Sequence, residues 1–340
     1  AGPASARRLT DPGAERMRFK FVAVIAAALF ALLGCSKSES KGSADDVKKI
    51  VIGMSQSNLG EPWRVQMNAD VRAAALGHPN VELVFKDAQN DTLRQRAHIE
   101  EFVAQKIDVL IVSPKEAQPL TEPIARAFDA GIPVIVLDRA VLGDKFTTFI
   151  GGDNKKIGRA VGEWVKTRLS GKGQIVELKG LGTTIPARDR SEPFREVLLG
   201  TDIKIVFDAD MKWLEPLARK EMESALARFP AIDLVYGHND PAAHGAYLAA
   251  KAAGRTGIEF VGVDALPHEG IAYVKQGILA ATFEYPTGGR EAIAAALKTI
   301  EIMERDGSLD YIAGQGGRLR DGFNEAAKAA EAPFARCIGM

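Results

Sequence analysis

Asp138 and Arg139 stand side by side, a carboxylate that accepts hydrogen bonds next to a guanidinium that donates them in a planar fork. Together they can hold neighbouring hydroxyls of a sugar or polyol. They follow Gly131-Ile132-Pro133-Val134-Ile135-Val136-Leu137, an apolar, β-branched run opened by a turn signal. Such a run reads as a strand buried on both faces. In an open α/β sheet, ligands sit outside the carboxyl ends of the strands. The competing reading is a plain ion pair at a domain edge, but burying both charges without a ligand role is costly.

Other polar and aromatic residues recur at the same place. Trp63 and Arg64 lie in the loop after the apolar run 50–54. An indole face stacks on the C–H face of a sugar ring, and an arginine donates to its hydroxyls. Arg188, Asp189 and Arg190 fall in what reads as a loop after 174–178, with one arginine free for ligand and the other paired to Asp189; a solvated charge run is the alternative. Trp213 is a candidate second aromatic wall or a core residue. Asn239 and Asp264 each end an apolar strand, Asp240 reads as a cap for the helix opened by Pro241, and Glu284 follows Phe283 at a crossover.

These residues need a scaffold of alternating strands and helices, and the chain supplies one. Strands are expected at 50–54, 81–85, 109–112, 131–137 and 147–150, separated by helices at 65–76, 91–106 and 119–129. A second series follows: a helix at 155–169, strands at 174–178, 203–207, 234–237, 260–263 and 280–283, and an alanine-rich helix at 288–304. The alternation predicts parallel sheets with right-handed crossovers. Two runs predict two doubly wound, Rossmann-like α/β lobes joined by three crossovers, near residues 151, 285 and 308, with a ligand cleft between them. The expected lobes are 48–150 plus 286–308, and 151–285 plus 309–340.

Composition narrows the function classes. The 340 residues are 46% hydrophobic and carry 44 basic against 44 acidic side chains, so no basic excess points to nucleic acid. Two cysteines, Cys35 and Cys337, build neither a disulfide framework nor a cysteine-rich metal site. No Gly-x-Gly-x-x-Gly turn follows the first strand, and there is no Walker-type phosphate loop, no Gly-x-Ser-x-Gly elbow and no His-Glu-x-x-His pair. No cofactor and no metal are expected.

Residues 17–35 begin Met-Arg-Phe-Lys and continue as an uncharged apolar run from Phe21 to Leu33 before Gly34-Cys35. A basic start, a short apolar core and small residues make an export signal. The run is well under the roughly 20 residues that span a bilayer. Residues 1–16 read as a non-native upstream extension, and the polar segment 36–47 as a flexible tether.

Leu32-Leu33-Gly34-Cys35 resembles the bacterial lipobox, which implies cleavage before Cys35, lipidation of its sulfur and a body held to a membrane by the lipid alone. The body resembles the periplasmic sugar-binding proteins of the ribose and galactofuranose type that serve ABC importers. The matching stretches are Ile52-Gly53-Met54-Ser55-Gln56, Phe102 to Asp108, Ala130 to Val134, Leu137-Asp138-Arg139, Pro186 to Phe194, Gly237-His238-Asn239-Asp240 and Val261-Gly262-Val263-Asp264, over about residues 48–330. The resemblance implies a periplasmic, monomeric, non-enzymatic binding protein that hands a sugar or polyol to a membrane permease. It implies ligand contacts from Trp63, Arg64, Asp138, Arg139, Arg188, Trp213, Asn239 and Asp264. The segment around Glu284 is one residue shorter than in ribose binders, and Pro62-Trp63-Arg64 replaces their adjacent phenylalanines. Presentation to a chemoreceptor or sensor kinase, or binding of a less polar metabolite, are the alternatives. A repressor would need an N-terminal helix-turn-helix where the export signal lies, and a glycosidase would need a catalytic carboxylate pair.

Overall fold

The structure, a computed structural model, describes residues 48–306, residue 325 and residues 335–336. The expected export signal, tether and lipidation site at Cys35, and the third crossover expected near residue 308, lie outside the described residues.

Two parallel sheets organise the body. The first holds β1 (Ile50–Gln56), β2 (Val81–Asp87), β3 (Val109–Ser113), β4 (Val134–Leu137) and β5 (Thr148–Ile150) in the order β5-β4-β3-β1-β2. The second holds β6 (Lys172–Lys179), β7 (Asp202–Asp210), β8 (Leu234–Gly237), β9 (Glu259–Asp264) and β10 (Ala281–Glu284) in the order β10-β9-β8-β6-β7. All pairings within these two sets are parallel. The two orders are the same doubly wound pattern, so each sheet reverses direction between its first and third strand and opens a crevice there.

The central strands are apolar on both faces: β3 and β4 are buried throughout, because helices cover each side. One face of the first sheet packs Ile99, Phe102 and Ile124 from α2 (Thr92–Gln105) and α3 (Ala117–Asp129). One face of the second packs Ala218, Met222, Ala242 and Ala246 from α6 (Glu215–Arg228) and α7 (Asp240–Ala252). A third cluster runs from α1 (Pro62–Ala75) through Leu266 and Tyr285 to α5 (Ile185–Leu198). α4 (Asn154–Arg168) packs on α5, and α8 (Gly270–Lys275) is a short turn of helix after β9.

The chain crosses between the sheets after β5 and again after β10. After the second crossing, α9 (Gly289–Asp306) returns to the first lobe: the Gly289 backbone lies so near Met67 and Asp70 of α1 that a Cβ would clash. The short strand β11 (Ala335–Arg336) pairs antiparallel with β5, at the edge of the first sheet. Residues 309–340 were expected in the second lobe, and at 335–336 this is corrected. The exposed edge of β5 offers unpaired backbone groups that a returning segment can use. Among the described residues, no helix is long and apolar enough to cross a membrane.

Candidate ligand-binding site

Strand ends of both sheets bring Glu61, Trp63, Arg64, Asp138, Arg139, Pro186, Arg190, Trp213, Asn239, Asp264 and Tyr285 around one small space. From the first lobe, Pro62 at the first turn of α1 fixes the helix start, and this places Trp63 and Arg64 over the end of β1. Asp138 adopts a left-handed backbone (φ +70°) at the end of β4, which turns its carboxylate inward.

Arg64 is almost wholly buried. Its Nε–H donates to Glu61 Oε1 (3.1 Å), its Nη1 to Gln56 Oε1 and Ser113 Oγ (both 2.8 Å), and its Nη2 to Asp138 Oδ2 (3.0 Å). Four of its five N–H bonds are thus used by the protein. Burial works against its charge, but Glu61 and Asp138 outweigh that and hold its pKa above the ordinary value. Arg64 therefore positions the Asp138 carboxylate more than it offers donors of its own. Asp138 Oδ1 accepts from the Tyr285 hydroxyl at 2.9 Å.

Arg139 keeps more donors free. Its Nη1–H donates to the Lys115 carbonyl at 3.0 Å, and its Nε lies 3.7 Å from Asp138 Oδ2. Burial and then the neighbouring Arg64 charge pull its pKa down to about 10. Its guanidinium sits 5.7 Å from the centre of the Trp213 ring in the other lobe, within cation–π range.

The second lobe contributes Arg190 and not Arg188. What reads as a loop is the first two turns of α5, and residues two apart on a helix point to different sides. Arg188 projects outward, with its side chain 57% exposed, and pairs with Asp189 at 3.3 Å. Arg190 is buried: its Nε–H donates to Asn154 Oδ1 (2.8 Å), its Nη1–H to the His238 carbonyl, and it lies 5.4 Å from the Trp213 ring centre and 4.4 Å from that of Tyr285. The expectation for Arg188 is thus corrected to Arg190.

Trp213 is buried with a left-handed backbone (φ +68°), its ring flat against Gly180, where no side chain could fit. Asn239 caps α7: its Oδ1 accepts from the Ala242 N–H, and its Nδ2 donates to the Trp213 carbonyl. Asp240, expected as the cap, instead accepts from the Ala265 N–H (2.8 Å) and the Thr282 hydroxyl (2.6 Å), tying α7 to the loop after β9 and to β10. Asp264 is buried, and its carboxylate accepts no hydrogen bond among the described residues. Burial, partly offset by Arg190 and reinforced by Asp240, Glu269 and Glu61, raises its pKa well above the usual carboxylate value.

Glu284 is outside this space. It pairs in register with Asp264 at the end of β10, and its exposed side chain lines a groove with His268 and Pro286 on the far side of the crossover. Successive residues in an extended chain face opposite ways, and the cleft side goes to Tyr285. Glu61 and Tyr285 were not singled out in the sequence. The i, i+3 spacing of Glu61 and Arg64 is a signal that could have found the first. For Tyr285 the only sequence signal is an aromatic at a crossover.

The cleft is closed. The Thr183 hydroxyl of the second lobe donates to Glu116 Oε1 of the first at 3.2 Å across its mouth. The space within measures about 20 Å³, room for roughly one water. No group of three His, Cys, Asp or Glu side chains able to hold a metal occurs among the described residues.

A sequence profile of the periplasmic binding protein domain matches residues 52–301. The chain belongs to the periplasmic binding protein family. The ribose import binding protein of Salmonella typhimurium is 28% identical over 242 residues, covering 71% of this chain and 80% of the relative. The fructose binding periplasmic domain of a hybrid two component system is 41% identical, with a TM-score of 0.71 over 74% of this chain and 85% of that one. A Mycobacterium smegmatis structure in complex with β-D-fucofuranose is 32% identical, with a TM-score of 0.70 and the same two shares. This periplasmic binding protein has two parallel α/β lobes, as its relatives do, and like them it is a binding protein and not an enzyme.

Proposed function

We propose that the chain captures a small neutral sugar or polyol in the interlobe cleft, outside the cytoplasm, and delivers it to an ABC importer. The observation that carries this reading is the mix of groups lining the cleft: three guanidinium groups that donate (Arg64, Arg139, Arg190) face three carboxyl groups that can accept (Glu61, Asp138, Asp264), with two indoles beside them. Donors and acceptors side by side suit hydroxyls, which both donate and accept, and indole faces suit the C–H face of a ring. Names of relatives that bind ribose, fructose and fucofuranose support the same ligand class.

In this reading Arg139, Arg190 and Asp264 meet the ligand with their unused donors and acceptors, and Asp138 accepts through the lone pairs that Arg64 and Tyr285 leave. Asn239, Trp63 and Trp213 complete the walls. A ring sugar exceeds one water's volume several times over, so the lobes must part at the crossovers to admit it and close again. A lipid on Cys35 would tether a monomer near the permease. The experiment is calorimetric titration of the body with pentoses, hexoses and polyols; binding of at least one neutral sugar or polyol is expected, and binding of charged metabolites alone would overturn the reading.

A second reading concerns the partner. The 41% identical relative is the fructose binding domain of a hybrid two component system, which favours presentation to a sensor as the alternative to import. Uptake of labelled ligand by cells with and without this chain separates the two.

A further inference from the structure

Tyr285 is anchored at every polar atom it has. Its N–H donates to the Asp264 carbonyl (3.3 Å), and its own carbonyl accepts from the Trp63 indole N–H (2.8 Å). Its hydroxyl donates to Asp138 Oδ1 (2.9 Å) and accepts from Asn154 Nδ2 (3.2 Å). The ring stacks on Trp63 with centroids 5.1 Å apart and planes 26° apart, and the Arg190 guanidinium lies 4.4 Å from its centre. On its remaining side it meets the Gly152 backbone so tightly that a Cβ on Gly152 would come within 2.3 Å of a ring carbon.

These contacts come from both lobes and from the crossover itself. The ring therefore cannot swing aside as a surface tyrosine would; moving it breaks a hydrogen bond at the hydroxyl and displaces Arg190. It also occupies two features that a ligand would use: a face of Trp63 and one oxygen of Asp138.

We propose that Tyr285 is the floor of the cleft and sets an upper limit on ligand size, favouring a five-carbon sugar over a six-membered ring that carries a hydroxyl on every carbon. This deepens the sugar-binding reading and rests on it. Replacing the ring by a shorter aliphatic side chain clears the Trp63 face and frees Asp138 Oδ1, making room for the larger ring. Loss of the hydroxyl alone leaves the floor in place.

The test is calorimetric titration of the wild-type body, Tyr285→Leu and Tyr285→Phe with D-ribose and with myo-inositol, each variant first checked for cooperative melting. In Tyr285→Leu the affinity for myo-inositol relative to D-ribose is expected to rise at least tenfold, while Tyr285→Phe keeps the wild-type ratio within about threefold. An unchanged ratio in Tyr285→Leu overturns the size limit. An equal rise in Tyr285→Phe also overturns it, because the hydroxyl and not the ring would then discriminate; this variant keeps the ring and so tests the idea even if the leucine variant fails to fold. A wild-type chain that binds neither these probes nor any other neutral sugar or polyol overturns the sugar reading itself, and the inference with it.

Discussion

Arg188 and Arg190 differ by two positions and by their whole role. Arg190 reaches His238, Asn154 and two aromatic rings, while Arg188 reaches Asp189 in solvent. Arg190→Ala should weaken ligand binding more than tenfold, since it removes a buried charged donor, and Arg188→Ala should leave it within about twofold; titration of both variants against one ligand checks the assignment. Arg139→Ala should likewise weaken binding more than tenfold without unfolding the lobes, and unchanged affinity would remove it from the site. Asp138, Arg139, Asn239 and Asp264 were legible because each ends an apolar strand, and a doubly wound sheet points its strand ends at the crevice. Arg190 was only half legible: choosing between two arginines needs the helical phase of α5, and Pro186 and the charges after it read as a loop. Tyr285 was not legible, because which of two neighbouring residues faces a cleft depends on how the crossover leaves β10.

At the scale of elements, Asp240 links three of them. The first turn of α7, the Ala265 N–H after β9 and Thr282 of β10 meet at its carboxylate, and the Gly262 and Gly270 backbones press so near that any Cβ there would clash. Burial pushes its pKa up to about 7, against hydrogen bonds from Thr282 and Ala265 and the charge of Arg190 that act to lower it. Glu269, nearby, is also raised to about 7, by burial and by Asp240. A folded pKa above the unfolded one, near 4, means that the folded state holds the proton longer, so stability falls as pH rises from about 4 to about 7 and is level above that. Asp240→Asn removes one of these titrations. The drop in melting temperature between pH 5 and pH 8 should then be smaller than in the wild type by about 3 °C or more. Equal drops would show that Asp240 is not held protonated. The strands, their parallel pairing and most helix positions were legible from the alternation of apolar runs and turn signals. The short helix α8 was not, since six residues give too little periodicity to read, and β11 was not, since two residues pair only where an open edge happens to receive them.

At the scale of the whole molecule, the closed cleft and the two crossovers among the described residues, after β5 and after β10, make a hinge the natural way in. Arg139 on Trp213 and Thr183 on Glu116 are contacts between lobes that opening must break. The Glu116 carboxyl also accepts from the Thr92 hydroxyl and lies by Lys115, so it is already positioned before the lobes meet. Thr183→Val should therefore weaken ligand affinity modestly, about two- to fivefold, by shifting the balance toward the open form without touching the ligand space. Small-angle scattering of the ligand-free variant should give a larger radius of gyration than the wild type, and equal radii would remove this contact from the closing set. Two lobes and a cleft follow from a sequence that runs the same βα pattern twice. How far the lobes close does not, because it depends on side chains that meet only after both halves have folded.

The central claim is that this cleft binds a small neutral polyhydroxy ligand, and the most direct measurement is a thermal-shift screen of residues 42–340 against pentoses, hexoses, inositols, organic acids and apolar metabolites. A ligand that binds only the folded state must raise its melting temperature. A rise with a neutral sugar or polyol, lost in Asp138→Ala, is the predicted result. A rise only with charged or apolar compounds, or one that survives Asp138→Ala undiminished, would contradict it.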